Sequence, residues 1–310
     1  MHSVKYAILG GGMVAGYAAK QYVENGGRKG DLAIISSDDA LPYERPPLSK
    51  SFLAGKDTES SILISQEDFY RDNSIEVRLN THVQAVDFES KLLKIAGSED
   101  LKYEKLVIAT GASPRKLDCP GNDLAGLFYL RSMDDSRRIR DAAASAKKAV
   151  VVGGGFIGME VASVLAQKGV DTTLIFPDDR IWKNFFSPEL SALFRGYYEQ
   201  RGVHFVTGAS IVALKGNSSV ETAVTSIGAS LDCNIVVAGI GVTPVTDIFK
   251  GIALGNGIVV NDHLEASASG VHAAGDVANY ADGLWHKQRR VEHWDNAVSQ
   301  GQYVARALLG

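Results

Sequence analysis

Apolar positions along this chain come in short continuous runs that meet glycine clusters, not in strict alternation. Residues 5–9 run into Gly10-Gly11-Gly12-Met13-Val14-Ala15-Gly16, and residues 17–23 follow with small and apolar residues at helical spacing. The pattern returns at residues 147–152, which meet Gly153-Gly154-Gly155-Phe156-Ile157-Gly158, with a helical pattern over 159–168. A continuous apolar run marks a strand covered on both faces, as in a parallel sheet. Strand, tight glycine turn and helix together predict a phosphate-binding βαβ unit. Gly153 permits the sharp turn, Gly155 lets backbone N–H groups approach an anion, and Gly158 lets helix and strand pack closely. The helix N-terminus then presents free N–H groups and partial positive charge. The first turn has the form G-x-G-x-x-A, with Gly10, Gly12, Met13, Val14 and Ala15 facing the same task. Two such units predict two dinucleotides.

The remaining pattern fills in between. A strand over 31–35 runs into Ser36-Ser37-Asp38-Asp39, where a carboxylate accepts from a ribose hydroxyl. Asp38 is the candidate, with Asp39 close behind. Residues 41–50 hold Pro42, Pro46 and Pro47, which exclude regular helix or central strand. An ordered loop carrying the cations Arg45 and Lys50 is expected. A helix over 66–73, strands over 76–79 and 81–86, and a polar hairpin over 92–102 follow. One buried strand ends in Ala109-Thr110-Gly111, and another in Gly239-Ile240-Gly241. A helix over 133–145 has a basic face, Arg137, Arg138 and Arg140, expected to be solvated. The second unit continues with a strand over 172–176, a helix over 187–200 and a strand over 203–206. Ser187 is a good cap for that helix and Pro188 a good first residue. Strands near 220–226 and 257–260 precede Ala274-Gly275-Asp276, and a helical pattern covers 294–309.

Composition narrows the class. The 310 residues suffice for two domains, and 45% hydrophobic with 22% charged residues is a globular balance. A net charge of −4 gives no support to nucleic-acid or membrane-surface binding, so no nucleic-acid partner is expected. No apolar run approaches the ~18 residues of a membrane span. Met1-His2-Ser3-Val4-Lys5-Tyr6 enters a strand at once and lacks the regions of a signal peptide. Cys119 and Cys233 lie far apart and give neither a disulfide framework nor a zinc site. A structural role for each, no metal and a reducing, cytoplasmic setting are expected.

Four motifs occur in order: Gly10 to Gly16, Ala109-Thr110-Gly111, Gly153 to Glu160, and Ala274-Gly275-Asp276. This order resembles the two-dinucleotide-binding flavoproteins of the pyridine nucleotide–disulfide oxidoreductase superfamily, over nearly the whole chain. The resemblance implies an α/β fold of two Rossmann-like, three-layer domains, with the NAD domain inserted in the FAD domain. Residues 1–115 with 245–310 would bind FAD, and 116–244 NAD(P)H. The implied FAD site draws on Gly10, Gly12, Met13, Val14, Ala15, Asp38, Arg45, Lys50, Val83, Ala109, Thr110, Gly111, Arg131, Asp276, Glu292, His293 and Trp294. In such proteins the late Asp lies on the flavin's ribityl chain. The implied NAD site draws on Gly153, Gly155, Phe156, Ile157, Gly158, Glu160, Asp178 and Gly241. Members usually continue into a third α+β domain, which is expected to be missing here.

The branch narrows further. No C-x-x-C or C-x4-C pair occurs, and no Cys stands near residues 46–49, so thiol–disulfide chemistry is not expected. Residues 42–50, Pro-Tyr-Glu-Arg-Pro-Pro-Leu-Ser-Lys, resemble the P-Y-x-R-P-x-L-S-K signature of another branch. It holds the ferredoxin and rubredoxin reductases, apoptosis-inducing factor and monodehydroascorbate reductase. There the Lys approaches flavin N5 and pairs with the Glu after the second glycine motif, here Lys50 and Glu160, the candidate catalytic pair. A cation beside N5 stabilises an electron-rich reduced flavin, and the Glu holds that cation and borders the nicotinamide. Taken alone, Glu160 also reads as a helix N-terminal acid favoured by the dipole.

The acceptor side divides. Residues 9–19, 176–178 and 289–293 resemble monodehydroascorbate reductase. Residues 48–55 and 293–297, with Gln300-Gly301, resemble the ferredoxin reductases and apoptosis-inducing factor. Val298 stands where the plant-type reductase has an Arg that grips the ascorbyl radical, and Trp294 suits electron transfer to a docked protein. The expected activity is electron transfer from NADH through FAD to a one-electron acceptor. An iron–sulfur redoxin comes first and the small radical monodehydroascorbate second. A redox sensor and interaction protein like apoptosis-inducing factor is the reading from another class. Residues 286–290, His-Lys-Gln-Arg-Arg, are the expected docking patch for an acidic redoxin, against a solvated basic loop. Asp178 would accept from a ribose 2′-OH and repel a 2′-phosphate, which favours NADH, while Arg180 argues for NADPH.

Overall fold

The computed structural model describes residues 2–310. It divides into two compact units: Met1–Arg45, Ser60–Ser113 and Pro244–Gly310 form one, Pro46–Glu59 and Pro114–Thr243 the other. The helices are α1 (Met13–Glu24), α2 (Glu67–Asp72), α3 (Met133–Ala143), α4 (Phe156–Gln167), α5 (Pro188–Glu199) and α6 (Trp294–Leu309).

The first unit is built on β1 (His2–Leu9), β2 (Leu32–Ile35), β3 (Glu76–Arg78), β4 (Val83–Asp87), β5 (Leu92–Ile95) and β6 (Leu101–Ile108). Their order is β3-β2-β1-β6-β5-β4, and strand Val271–Ala273 also pairs with β6. The β1–β2, β1–β6 and β2–β3 pairs and the Val271–Ala273 pair are parallel. Ala7, Ile8, Ala33, Ile34, Leu106 and Val107 are fully buried, as the continuous apolar runs require. Register decides where the motifs fall. Leu9 pairs with both Ile35 and Ile108, and Ile108 with Ala273. The residues that follow, Gly10, Ser36, Ala109 and Ala274, therefore leave one carboxyl edge side by side, where open α/β sheets bind ligands. In α6, Ala297, Gln300, Gly301, Val304, Ala305 and Leu308 form one buried stripe at helical spacing. A Cβ on Gly301 would overlap backbone atoms of Val14, so glycine lets α6 lie directly on α1.

The second unit has a five-stranded parallel sheet in the order Val203–Thr207, Asp171–Phe176, Lys148–Val152, Ile235–Ala238 and Leu127–Tyr129. Val152 registers with both Ile175 and Ala238, so its glycine turn also leaves a shared carboxyl edge. A capping box, Ser132 with Asp135, starts α3, and the Ser187 hydroxyl accepts from Leu190 N–H to start α5. An antiparallel sheet of Ile211–Lys215, Thr222–Thr225 and Ser230–Asp232 completes the unit.

Several expectations change. Residues 46–59, expected in the first domain, belong to the second unit, where Leu53 is fully buried in the core. Within the expected ordered loop, Pro46–Ser49 winds into a short 3-10 helix, a conformation that proline's fixed φ suits. The basic face of α3 is not simply solvated. Arg137 pairs with Glu59 at 2.8 Å, and Arg140 lies over the Phe52 ring at 5.5 Å, so the face docks the 46–59 segment. Strands Leu127–Tyr129 and Ile211–Lys215 are additions to the expected set. Among the described residues, no helix is long and apolar enough to cross a membrane, and no group of three His, Cys, Asp or Glu is placed to hold a metal. Burial pushes the Cys233 thiol up to about 11 and raises that of Cys119, which leaves little reactive thiolate at either.

Candidate active site

In the first unit, the carboxyl edge of the sheet is stitched by backbone bonds. Gly10 N–H donates to Ile35 at 2.8 Å, Ala109 N–H to Leu9 at 2.8 Å and Ala274 N–H to Ile108 at 3.0 Å. Gly10 has φ +124°, and a Cβ there would overlap the Ala109 carbonyl. This close approach brings the first two motifs together. Gly12 caps α1 with open space where a side chain would stand, and Met13, Val14 and Ala15 are buried behind it. The Thr110 hydroxyl donates to the Val245 carbonyl at 2.9 Å. Gly111 accepts from Val245 N–H at 3.0 Å.

Asp38 follows β2 as expected, and its carboxylate is already engaged. One oxygen accepts from Tyr43 Oη at 2.8 Å and from Arg45 at 3.4 Å, the other from Asp39 N–H at 3.0 Å. Asn80 and Thr81 donate to the Asp38 and Ser36 carbonyls, which sets Val83 two residues from that corner. Gly275 is held by the buried Gln300, whose Oε1 accepts its N–H at 2.7 Å. Glu292, His293 and Trp294 lead into α6; Trp294 is half exposed, and His293 Nδ1 accepts from Asp295 N–H at 3.2 Å.

Sequence reasoning missed Arg290, which it placed in a docking patch. Its guanidinium is only 7% exposed, donates to the Asp276 carbonyl at 3.1 Å and pairs with Glu292 at 2.7 Å. Arg289 pairs with Asp282 at 3.2 Å, inside a hairpin of Ala278–Asp282 and Lys287–Arg289. Residues 287–289 of the expected basic loop are therefore a strand; Arg289 and Arg290 are engaged by carboxylates, while His286, Lys287 and Gln288 stay exposed. The pattern there was too short to read as a strand.

In the second unit, Gly153 has φ +116°, and a Cβ there would overlap the Gly239 carbonyl. A Cβ on Gly158 would overlap the Gly153 carbonyl, while Gly155 faces open space. The three glycines thus divide the tasks of turn, close packing and open cradle. Phe156 and Ile157 begin α4 with about half of each exposed. Gly241, at φ +98°, accepts from Arg115 N–H at 2.9 Å. Asp178 is exposed, and its carboxylate has no partner among the described residues. Arg180 pairs with Asp179 at 3.7 Å. Arg131 stands just before the α3 cap, where its N–H donates to Asp135 at 3.0 Å.

Lys50 and Glu160, 110 positions apart in sequence, are brought together by the fold of this unit. Lys50 Nζ lies 2.8 Å from Glu160 Oε2, and Ser49 Oγ donates to the same oxygen at 2.5 Å. Burial and then the negative charge of Glu160 raise the Tyr198 phenol. Lys50 is half exposed, and an ion pair of that kind adds at most about 1 kcal/mol to stability.

A family model, pyridine nucleotide-disulphide oxidoreductase, matches residues 4–301. The chain belongs to that family. It is 36% identical over 306 residues to the rubredoxin-NAD(+) reductase of Pseudomonas putida, covering 98% of this chain and 79% of the relative. It is 35% identical over 332 residues to the monodehydroascorbate reductase of Pisum sativum, covering 100% and 76%. A covalent putidaredoxin reductase–putidaredoxin complex superposes with a TM-score of 0.93 at 28% identity, over 100% of this chain and 76% of that one. This oxidoreductase is accordingly an NAD(P)H-dependent enzyme that uses FAD. Its own geometry fits such groups: two glycine turns, each with an open cradle at Gly12 or Gly155 before a helix N-terminus, suit two pyrophosphates.

Proposed function

We propose that this oxidoreductase takes electrons from NADH and hands them singly to an iron–sulfur redoxin. FAD, when bound, supplies the step from two-electron to one-electron transfer. In this reading the first unit holds FAD through Gly10, Gly12, Ala109 and Asp276, and the second holds NADH through Gly153, Gly155 and Gly158. The observation that carries it is the Lys50–Glu160 pair at 2.8 Å, set four residues into a nucleotide-binding helix start. Glu160 keeps the Lys50 ammonium in place, and that cation favours negative charge at a neighbouring reacting group. With burial raising the thiols of Cys119 and Cys233, a thiol relay is not needed. Asp178, exposed and without a partner among the described residues, suits a ribose diol, which supports NADH over NADPH; Arg180 lies 3.7 Å from Asp179, which also pairs with Lys183 at 3.0 Å.

The redoxin reading draws on the likeness to rubredoxin-NAD(+) reductase and to the putidaredoxin reductase complex. A small-radical reading draws on the monodehydroascorbate reductase relative. Val298 favours the redoxin, because it packs against the first unit's hydrophobic core and offers no cation. The test is a turnover panel with NADH as donor and a rubredoxin, a two-iron ferredoxin or monodehydroascorbate as acceptor. Redoxin reduction well above the monodehydroascorbate rate supports the proposal, and the reverse order sinks it. Slow flavin bleaching by NADH in stopped flow would favour the sensor class.

A further inference from the structure

Glu160 receives two donors on one oxygen. Lys50 Nζ and Ser49 Oγ both reach Oε2, at 2.8 Å and 2.5 Å, and Oε1 has no protein partner among the described residues. The two donors differ in kind. Lys50 is half exposed on a flexible stem, so it holds a carboxylate loosely. Ser49 is only 1% exposed, and its backbone belongs to the 3-10 helix that Pro46 and Pro47 start with fixed φ. That helix is anchored in turn, since the fully buried Ser136 hydroxyl donates to the Leu48 carbonyl at 2.8 Å. A buried hydroxyl on an anchored backbone is a rigid donor, and rigid support is what a reacting group needs from its neighbours.

We propose that Ser49 is a positioning residue of the hydride-transfer site: its hydroxyl locks Glu160 Oε2, and through that oxygen the Lys50 ammonium, in one orientation. The inference rests on the reading of Glu160 as a member of that site. Without the hydroxyl, the Lys50–Glu160 pair keeps its charges and loses its fixed geometry.

The test is Ser49→Ala, alone and in a Glu160→Ala background, with the FAD-loaded protein. Flavin reduction by NADH is followed in stopped flow, and NAD+ affinity by isothermal titration calorimetry. Ser49→Ala should slow flavin reduction about tenfold and leave the NAD+ dissociation constant within about twofold. In the Glu160→Ala background it should cause no further slowing, because Ser49 acts through Glu160. Equal slowing in both backgrounds would mean a merely structural role and overturn the inference. A wild-type rate in Ser49→Ala alongside a slow Glu160→Ala would overturn it too, while leaving Glu160's role intact. A wild-type rate in Glu160→Ala would instead remove the underlying reading of the site.

Discussion

Arg290 is fastened to Asp276 through the backbone, its Nη1 donating to the Asp276 carbonyl at 3.1 Å while Nη2 pairs with Glu292 at 2.7 Å. The guanidinium thus joins the Gly275–Asp276 turn to the segment entering α6, at a side chain only 7% exposed. Removing it leaves a carbonyl without its donor and a carboxylate without its cation, a loss of about 1–3 kcal/mol. Arg290→Ala should therefore lower the urea midpoint of the FAD-loaded protein and weaken FAD retention, measured by flavin fluorescence after dilution. Arg290→Lys should recover only part, because one ammonium cannot reproduce the fork. FAD retention equal to wild type in Arg290→Ala would refute this account.

His272 sets a pH limit on the first unit. It is 6% exposed on strand Val271–Ala273, and its Nδ1 has no partner among the described residues. Burial lowers its pKa from 6.5; Lys105 lowers it further, and Glu265 opposes. His263, bonded to Tyr303 at 2.8 Å, lines the same cavity. A depressed histidine pKa means that the unfolded chain takes up the proton first. The stability is whole above about 6.5 and falls as pH drops below it toward the lower folded-state value. His272→Phe keeps the bulk and removes the proton site. Its urea midpoint should fall less than that of wild type between about pH 7 and pH 5. Parallel curves would rule His272 out as the source.

How much of this was legible in the residues follows from what each motif needs. Gly10, Gly153 and Gly158 were readable because each answers a local demand: positive φ at two, and backbone contact within a single βαβ unit at the third. The order of motifs carried the two-unit fold for the same reason. Arg290 and Gln300 were not readable as site supports, because their partners, the Asp276 carbonyl and the Gly275 N–H, are backbone atoms with no sequence signature. Ser49 carries no signal of its own, because its partner Glu160 lies 111 positions away. The α3 arginines were misread because their partner segment, 46–59, folds onto them from far upstream. Strand Leu127–Tyr129 was missed because three residues carry no period.

The two inner glycines of the second turn separate fold from binding. A Cβ on Gly158 meets the Gly153 carbonyl, so Gly158→Ala must push α4 from its strand, and both stability and NAD+ affinity should drop. Gly155 faces open space, so Gly155→Ala costs the fold at most about 1 kcal/mol and puts a methyl in the anion cradle. Its melting temperature should stay near wild type while its NAD+ dissociation constant rises about tenfold or more. Calorimetry on both variants decides it, and an unchanged NAD+ affinity in Gly155→Ala would remove the cradle from this turn.

Under the proposed function, Asp178 sets the preference between the two nicotinamide coenzymes. Its carboxylate is exposed and without a partner among the described residues, whereas Arg180, the cation that would favour a 2′-phosphate, lies 3.7 Å from Asp179, which Lys183 also reaches at 3.0 Å. A carboxylate gripping a ribose 2′-OH makes a charge-assisted bond worth about 1.5–3 kcal/mol, so its loss should cost roughly ten- to hundredfold. Asp178→Ala should raise the NADH KM within that range. The NADPH KM should rise less or fall, since the same change removes a negative charge from beside the 2′-phosphate. Steady-state kinetics with both coenzymes and ferricyanide as acceptor read the two constants directly. A common shift in both would mean that Asp178 acts on the loop and not on the ribose, and the preference would then belong to the Asp179–Arg180 pair.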